Sequence, residues 1–288
     1  MKIFFYNGAQ NGDMHYSREF VRDISRKIGN KHFYVHVRGN ILKDFEIEQI
    51  EQIIKIPGEK MPNNNLSIFN VEKDIYINTW IGQQNMRYIA NTSCSLISNY
   101  RMFSDIYKKL NIKLEDISYY IPKVNFSKTN NKNIDNFFLN KKVKTVLVCN
   151  NIVLSGQSVN FNFDEIIKEL SNKYKFINFL ITNETFISND NVIMIKDIIG
   201  YDVGNLLEIS YLSTKCDIII GRASGPFCLT HIIDNILDFN KIFISFTHNE
   251  YDAKWVHDSE SNAKQFWYKE FNVKKVFNIL DKLISDNI

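Results

Sequence analysis

Residues 216–231, CDIIIGRASGPFCLTH, carry the strongest fold signal in the chain. The three isoleucines at 218–220 form a continuous β-branched run, which is typical of a strand buried on both faces of a parallel sheet. Gly221 ends this strand. Ser224, Gly225 and the proline that follows favour a helix start, because serine caps helices and proline suits the first turn. The segment therefore predicts a strand, a tight turn and a helix.

The turn after this strand offers hydrogen-bond donors to a ligand. A helix start exposes N–H groups, and the helix dipole favours an anion there. Arg222 adds a planar guanidinium that suits a phosphate or diphosphate. Taken alone, the segment fits an ordinary strand-to-helix connection equally well. Arg222, Ser224 and Gly225 are therefore candidate phosphate ligands.

The composition is that of a globular protein with one large or two medium domains. The chain has 288 residues, 44% of them hydrophobic, and a formal charge of +3 from 35 basic and 32 acidic residues. Such a balanced charge argues against a general nucleic-acid binder, so no nucleic-acid partner is expected. The four cysteines lack the spacing of metal ligands, and we expect reduced, buried thiols without a disulfide.

The N-terminus, MKIFFYNGAQ, does not resemble a secretory signal, and no run of the sequence approaches a membrane span. We therefore expect a cytoplasmic protein. The histidines form no H-x-x-x-H or H-E-x-x-H pattern, which argues against a metal site. Neither G-x-S-x-G nor a P-loop motif is present, so a serine hydrolase and a P-loop enzyme are set aside.

The first half opens with a strand, a glycine-containing loop, a helix and a second strand, which together predict a parallel βαβ unit. We then expect a helix, a brief strand, a hairpin or two strands, a long helix and a polar linker. In order, these predicted segments are 2–6, 7–13, 18–28, 32–37, 44–52, 53–56, 66–80, 94–110 and 122–144.

The second half begins as the first did, with a buried strand, a loop and a helix. We expect the last strand at 242–246 and a final amphipathic helix that packs back on the first domain. The other predicted segments are strands at 145–149, 176–181, 192–195 and 218–220 and helices at 163–170 and 206–212. The fold class is α/β, with two doubly wound, Rossmann-like domains at 1–140 and 141–288 that face each other across a cleft.

Asp13 follows the first strand and is a candidate catalytic residue. A carboxylate beside a helix N-terminus stays ionised and can accept a proton from a hydroxyl, but aspartate at this position is more often a helix cap. His15 is the alternative base, or else an exposed first-turn residue. Gly12 and Arg18 follow the first predicted strand and Gln83 follows the segment 66–80, so these three residues are candidate ligand contacts.

Polar pairs follow two strands of the second half. Asn150 and Asn151 come after the strand at 145–149, and Thr182 and Asn183 come after the strand at 176–181. Ligand contacts collect at such strand ends in α/β sheets. These four residues join Arg222, Ser224 and Gly225 as candidate ligand-binding residues.

Two short segments, Asn11-Gly12-Asp13 and residues 216–226, resemble glycosyltransferases of the GT-B architecture. The similarity is greatest to the bacterial heptosyltransferase family and related cell-surface glycan transferases. The family places a catalytic aspartate in the first segment and the donor diphosphate at the second. It also has a lysine in the first strand of the second half, where this chain has Asn150 and Asn151.

The resemblance implies a metal-independent, inverting transfer of a sugar from a nucleotide-sugar donor to a hydroxyl of a glycan or lipid-linked glycan. Donor-binding residues would lie in the second domain, the acceptor would bind the first, and Asp13 would be the base. No cofactor is implied, and peripheral association with the inner face of the membrane is left open. The alternatives are a nucleotide-sugar epimerase, a pyruvyl transferase and an inactive partner subunit that binds a sugar nucleotide.

Overall fold

The computed structural model describes residues 2–8, 10–29, 32–37, 50–56, 60, 66–83, 88–89, 91–129, 131–139, 143–200 and 206–287. The chain forms two compact units, unit 1 (Met1–Asn125) and unit 2 (Phe126–Ile288). The structural boundary thus lies after residue 125 and not after residue 140 as expected. The helix Lys132–Leu139, which lies within the expected linker, belongs to unit 2 because Ile134 is buried and Tyr211 OH donates to Asp135 Oδ1 at 2.7 Å.

Unit 1 is built on a five-stranded sheet in the order β3-β2-β1-β5-β4. All neighbouring strands are parallel except β4 and β5, which form an antiparallel hairpin. The described elements of unit 1 are β1 (Ile3–Asn7), α1 (Asn11–Ile28), β2 (His32–His36), β3 (Ile50–Lys55), β4 (Ile68–Val71), β5 (Asp74–Asn78) and α2 (Ser95–Leu110).

The βαβ unit, the hairpin and the long helix of the first half are confirmed. Helix α1 begins at Asn11, so the loop predicted over 7–13 is shorter and its last three residues form the first helical turn. The helix ends at Gly29, whose φ of 68° is a conformation that glycine adopts without strain. The helix predicted over 44–52 lies mostly outside the described residues, and residues 50–52 belong to β3.

Unit 2 has a six-stranded, fully parallel sheet in the order β11-β10-β9-β6-β7-β8. This is the strand order of a Rossmann fold, in which the order of strand addition reverses between β6 and β9. The described elements are α3 (Lys132–Leu139), β6 (Thr145–Cys149), α4 (Phe163–Lys173), β7 (Asn178–Ile181), β8 (Val192–Met194), α5 (Ile195–Ile199), α6 (Leu206–Thr214), β9 (Ile218–Gly221), α7 (Gly225–Leu229), α8 (Ile233–Ile236), β10 (Ile242–Phe246), α9 (Glu250–Ala253), β11 (Lys264–Tyr268) and α10 (Val273–Asn287).

The prediction that β10 is the last strand is wrong, because β11 follows it and pairs with it in parallel. Strand β11 begins with an exposed lysine, and its other residues are only half-buried. The strand carries an apolar run of only Phe266, Trp267 and Tyr268, preceded by Lys264 and Gln265, and unlike β6 and β10 it is not buried along its whole length.

The last helix packs within unit 2, which corrects the expectation that it returns to the first domain. Val276, Leu280 and Ile284 of α10 are buried in the same apolar core as α4 and the strands of unit 2. Tyr174 OH, at the end of α4, donates to Asp281 Oδ1 at 2.7 Å. The apolar face of α10 therefore packs beside α4 in the unit 2 core.

Within the described ranges, no helix is both long enough and apolar enough to cross a membrane. Three of the four cysteines, Cys94, Cys149 and Cys216, are buried, and Cys228 is half-buried. Burial raises the pKa of the Cys216 thiol to about 12, and it raises the pKa of the Cys149 thiol well above its ordinary value. These thiols are therefore protonated at neutral pH and behave as small apolar groups.

We predict that Leu280→Ala lowers the free energy of unfolding of unit 2 by about 2–5 kcal/mol, because it opens a cavity in the core. Lys282→Ala, at an exposed position of the same helix, is the control and should change it by less than about 0.5 kcal/mol. Urea unfolding measures both variants. Equal, small effects would show that α10 is not part of the unit 2 core.

Candidate functional site

In the unit 2 sheet, the order in which the chain adds strands reverses between β6 and β9. Open α/β sheets bind ligands at such a point. The two strands are parallel, with Cys149 opposite Gly221. Asn150 and Arg222 therefore follow at the same level of the sheet. The name β6–β9 site is used here for the polar residues at this edge, namely Asn150, Asn151, Thr182, Asn183, Arg222, Ser224 and Gly225.

The side chain of Asn150 is fixed by its neighbours. The main-chain N–H of Asn183 donates to its Oδ1 at 2.8 Å, and Thr182 Oγ1 lies 3.3 Å from the same atom. Because a main-chain N–H can only donate, the side-chain atom that it contacts is the oxygen and the Nδ2 group lies opposite. Within the described residues, the hydrogen bonds of the Asn150 side chain all end on Oδ1, so the two N–H bonds of Nδ2 are available to a ligand.

Thr182 connects the two asparagines at the start of the loop after β6. Its Oγ1 lies 2.6 Å from Asn151 Oδ1, and its main-chain N–H donates to Val148 O at 3.1 Å. The structure thus joins Asn150, Asn151, Thr182 and Asn183 in one hydrogen-bond network, as the sequence predicted for their location. Their role in binding a nucleotide-sugar stays a prediction.

Arg222 is 2% exposed, and its guanidinium contacts the chain itself. Nη1 donates to Phe161 O at 2.9 Å, and Nη2 donates to Asn150 O at 2.8 Å and to Asn151 O at 3.2 Å. Burial lowers its pKa to about 10, so it is still protonated at neutral pH. The role of phosphate ligand stays a prediction, and these contacts favour a role inside the protein.

Ser224 occupies the N-cap position of α7, but its side chain makes no capping hydrogen bond. Its Oγ is buried and has no hydrogen-bond partner. A buried hydroxyl without a partner costs about 1–3 kcal/mol, so the stability of unit 2 does not explain this serine.

Gly225 follows Ser224 and is not held by packing. A Cβ at this position would meet no atom within 4 Å, and its φ is not positive. Neither the backbone conformation nor the neighbouring residues therefore require glycine here. The open space beside its backbone is available to a ligand.

Gln157, His248 and Asp252 lie at the same carboxyl edge, and the sequence analysis missed them. Gln157 Nε2 donates to Asp252 Oδ1 at 3.3 Å, and the main-chain N–H of His248 donates to Gln157 O at 2.9 Å. Burial raises the pKa of Asp252. His248 comes two residues after β10, so the strand-end rule that found Asn150 also identifies it.

Asp13 lies in the first turn of α1 in unit 1. The main-chain N–H of Gln10 donates to Asp13 Oδ2 at 3.2 Å, so this carboxylate does cap the helix. Burial raises its pKa to about 6, against the lowering effect of the hydrogen bond from Gln10. A carboxylate with this pKa is mostly ionised at pH 7 and is a better proton acceptor than an ordinary aspartate.

The other candidates of unit 1 differ in their surroundings. His15 is fully buried, with its Nδ1 3.5 Å from Arg18 Nη1, so the alternative of an exposed first-turn residue is wrong. Arg18 is buried as well, and so is Gly12 within the first turn of α1. Gln83 ends the 3-10 helix Ile81–Gln83, and its side chain lies outside the described part.

A buried polar cluster lies where β1 meets β5, at the corresponding point of the unit 1 sheet. Asn7 Nδ2 donates to Thr79 Oγ1 at 3.0 Å, Tyr34 OH lies 3.2 Å from the same atom, and Thr79 Oγ1 donates to Tyr6 O at 3.1 Å. Tyr34 and Thr79 were not predicted from the sequence, because both lie within segments interpreted as strands, 32–37 and 66–80, and not in the loops after them. In the described ranges of either unit, no three His, Cys, Asp or Glu side chains are grouped so as to hold a metal ion.

Comparison with solved structures finds the same fold over the whole chain. A family 9 glycosyltransferase from Veillonella parvula matches 98% of this chain and 88% of its own, with a TM-score of 0.54 and 10% identity. The E. coli heptosyltransferase WaaC with ADP matches over 100% of both chains, with a TM-score of 0.55 and 10% identity. The chain has the GT-B fold.

At this level of identity the likeness concerns the fold alone. The same heptosyltransferase with ADP-2-deoxy-2-fluoro heptose matches with a TM-score of 0.56, again at 10% identity over 100% of both chains. No protein-family model matches the sequence, and no curated protein is significantly similar to it. The function therefore has to be argued from the residues at the two sheet edges.

We predict that Ser224→Ala leaves the free energy of unfolding unchanged or raises it by about 1 kcal/mol, because it removes a buried hydroxyl without a partner. The control is Ser210→Ala, since Ser210 Oγ is also buried but donates to Leu229 O at 2.7 Å. This control should lose about 1 kcal/mol. Urea unfolding of both variants checks the difference, and a clear loss in Ser224→Ala would mean that its hydroxyl has an internal partner.

We also predict a pH effect at Asp13. Its pKa is 3.8 as the ordinary value and about 6 in the fold, so the folded state binds the proton more tightly and its stability falls as pH rises from about 4 to 6. Asp13→Asn should remove this decline, leaving the variant more stable than wild type at pH 7 and similar to it at pH 4. Unfolding at both pH values tests this, with Asp286→Asn at an exposed position as control. An unchanged pH profile would contradict the shifted pKa.

Proposed function

We propose that the chain is a glycosyltransferase that moves a sugar from a nucleotide-sugar donor to a hydroxyl of a glycan or lipid-linked glycan. The observation that carries the proposal is the pair of unused polar groups in the β6–β9 site, the Nδ2 group of Asn150 and the buried hydroxyl of Ser224. They lie at the strand ends where a Rossmann fold binds nucleotides. The structural likeness to a heptosyltransferase with ADP supports this choice of ligand.

The reaction is a single displacement at the anomeric carbon. The acceptor oxygen forms a bond to that carbon while the bond to the diphosphate oxygen breaks, so the configuration at the anomeric carbon is inverted. The proton of the acceptor hydroxyl goes to the Asp13 carboxylate in unit 1, whose pKa of about 6 suits a base at neutral pH. The leaving diphosphate gains negative charge, and the neutral donors of Asn150, Ser224 and the main chain at Gly225 stabilise it without a metal ion.

The proposed substrates imply where the protein works in the cell. A chain that takes a cytoplasmic nucleotide-sugar works in the cytoplasm, and a lipid-linked acceptor brings it to the inner face of the membrane as a peripheral protein. The acceptor, a glycan of the bacterial cell surface, would bind unit 1 near Gly12, Arg18 and Gln83.

A thermal-shift screen with ADP, UDP, GDP and CDP tests the donor part. A nucleotide at 100 times its dissociation constant stabilises the protein by about 2.7 kcal/mol, and Ser224→Ala should reduce this effect. Incubation with the matching nucleotide-sugars separates the classes of function. Slow hydrolysis or transfer supports a transferase, conversion of the sugar indicates an epimerase, and binding without reaction indicates an inactive partner subunit.

We predict that Asp13→Asn lowers the single-turnover rate by about 10²–10⁴, because asparagine keeps the helix cap but accepts no proton. The wild-type rate should rise with pH through an apparent pKa near 6, and the variant should lose this dependence. Donor affinity should stay unchanged, since the donor belongs to unit 2.

His15→Ala is run beside this variant as the competing base, with its melting temperature measured to detect misfolding. A normal rate in Asp13→Asn together with a collapse in His15→Ala would move the base to His15. Normal rates in both variants would remove the catalytic interpretation of the α1 start.

A further inference from the structure

The side chain of Arg222 contacts both ends of the loop that connects β6 to α4. Its Nη2 donates to the carbonyls of Asn150 and Asn151 at the start of this loop, and its Nη1 donates to the carbonyl of Phe161 at the end. The guanidinium carbon lies 4.7 Å from the centroid of the Phe163 ring and 5.0 Å from that of Phe161. The loop over 150–161 is therefore fixed at both ends by one cation.

Asn150 is held at two oxygens by two different strands. Its main-chain carbonyl accepts from Arg222, which follows β9, and its side-chain Oδ1 accepts from the N–H of Asn183, which follows β7. These two contacts fix both the position of the residue and the orientation of its amide. Only the two N–H bonds of Nδ2 remain for a ligand.

We infer that Arg222 is a positioning residue of the β6–β9 site, which aims the Nδ2 group of Asn150 at the oxygen atoms of a nucleoside diphosphate and does not itself bind phosphate. A phosphate on Nη1 or Nη2 would compete with the three main-chain carbonyls that these atoms bind, and Nε, which has no hydrogen-bond partner, is buried. The guanidinium is also 2% exposed. The identity of the ligand in this inference rests on the proposed function. The contacts by which Arg222 fixes the loop do not depend on it.

A double-mutant cycle separates the two roles of Arg222. The variants are Arg222→Lys, Asn150→Ala and the double variant, with ADP and UDP as the probes in calorimetric titrations. If Arg222 acts through Asn150, Arg222→Lys weakens binding about tenfold in the wild-type background and less than about twofold in Asn150→Ala. If Arg222 binds phosphate directly, the two losses multiply and the inference is overturned.

Hydrogen exchange of residues 150–161 gives a readout that needs no ligand. Arg222→Lys should speed exchange of these amides, whereas Asn150→Ala should not, because the carbonyl that Arg222 binds is still present. Unchanged exchange in a folded Arg222→Lys overturns the inference even when ADP or UDP binds. Faster exchange in a chain that binds neither nucleotide instead refutes the proposed function and leaves the hold on the loop standing.

If Arg222→Lys does not fold, Phe163→Leu takes its place in the cycle. This change withdraws the aromatic ring from the guanidinium and leaves the three carbonyl contacts in place. It should weaken nucleotide binding in the wild-type background and have no further effect in Asn150→Ala. An equal loss in both backgrounds would overturn the inference.

Discussion

The pairing of β6 with β9 is the constraint on which the ligand site of unit 2 depends. These strands are distant in sequence, and their parallel register sets Cys149 opposite Gly221. A Cβ on Gly221 would come within 2.6 Å of the Phe227 ring and 3.0 Å of Cys149 Cβ. Glycine therefore allows α7 to begin close against the strand ends. The turn before α7 thereby brings Arg222 within 2.8 Å of the main-chain carbonyl of Asn150.

The charge of Arg222 is stabilised in an unusual way, because main-chain carbonyls and aromatic rings take the place of a carboxylate. Burying a cation is costly unless its donors are satisfied, and here Nη1 and Nη2 both donate to carbonyl oxygens. Phe161 and Phe163 add cation–π contacts to the same group. The cation cannot leave without exposing these carbonyls, so the loop and the side chain are mutually fixed.

The sequence predicted best those features that depend on continuous burial. Strands β6 and β10 were found at their observed bounds because each is an apolar run buried on both faces. Strand β11 was missed because an edge position leaves it half-exposed. The partner of α10 was also missed, since an amphipathic stripe shows that a helix packs on something without showing on what.

The sequence indicated where the site residues lie, but it did not show which atoms they contact. The sequence indicated that Asn150 and Thr182 each follow a strand, but only the structure shows that these strands, β6 and β7, are neighbours. The partners of Arg222 are main-chain carbonyls, which every residue carries, and no sequence pattern marks them. Its residue type suited a phosphate equally well, and only the fold shows that Nη1 and Nη2 already donate to carbonyls while the buried Nε has no partner.

Asp13 shows why the sequence could not separate a helix cap from a catalytic base. The hydrogen bond from Gln10 stabilises the ionised carboxylate and lowers its pKa, whereas burial raises it more, and the net value is about 6. An exposed cap would keep an ordinary aspartate pKa and would be a weak base at neutral pH. The net pKa depends on how far the fold desolvates the first turn of α1, which the local sequence does not show. A single side chain can therefore serve both roles, and its desolvation decides whether the second one is chemically useful.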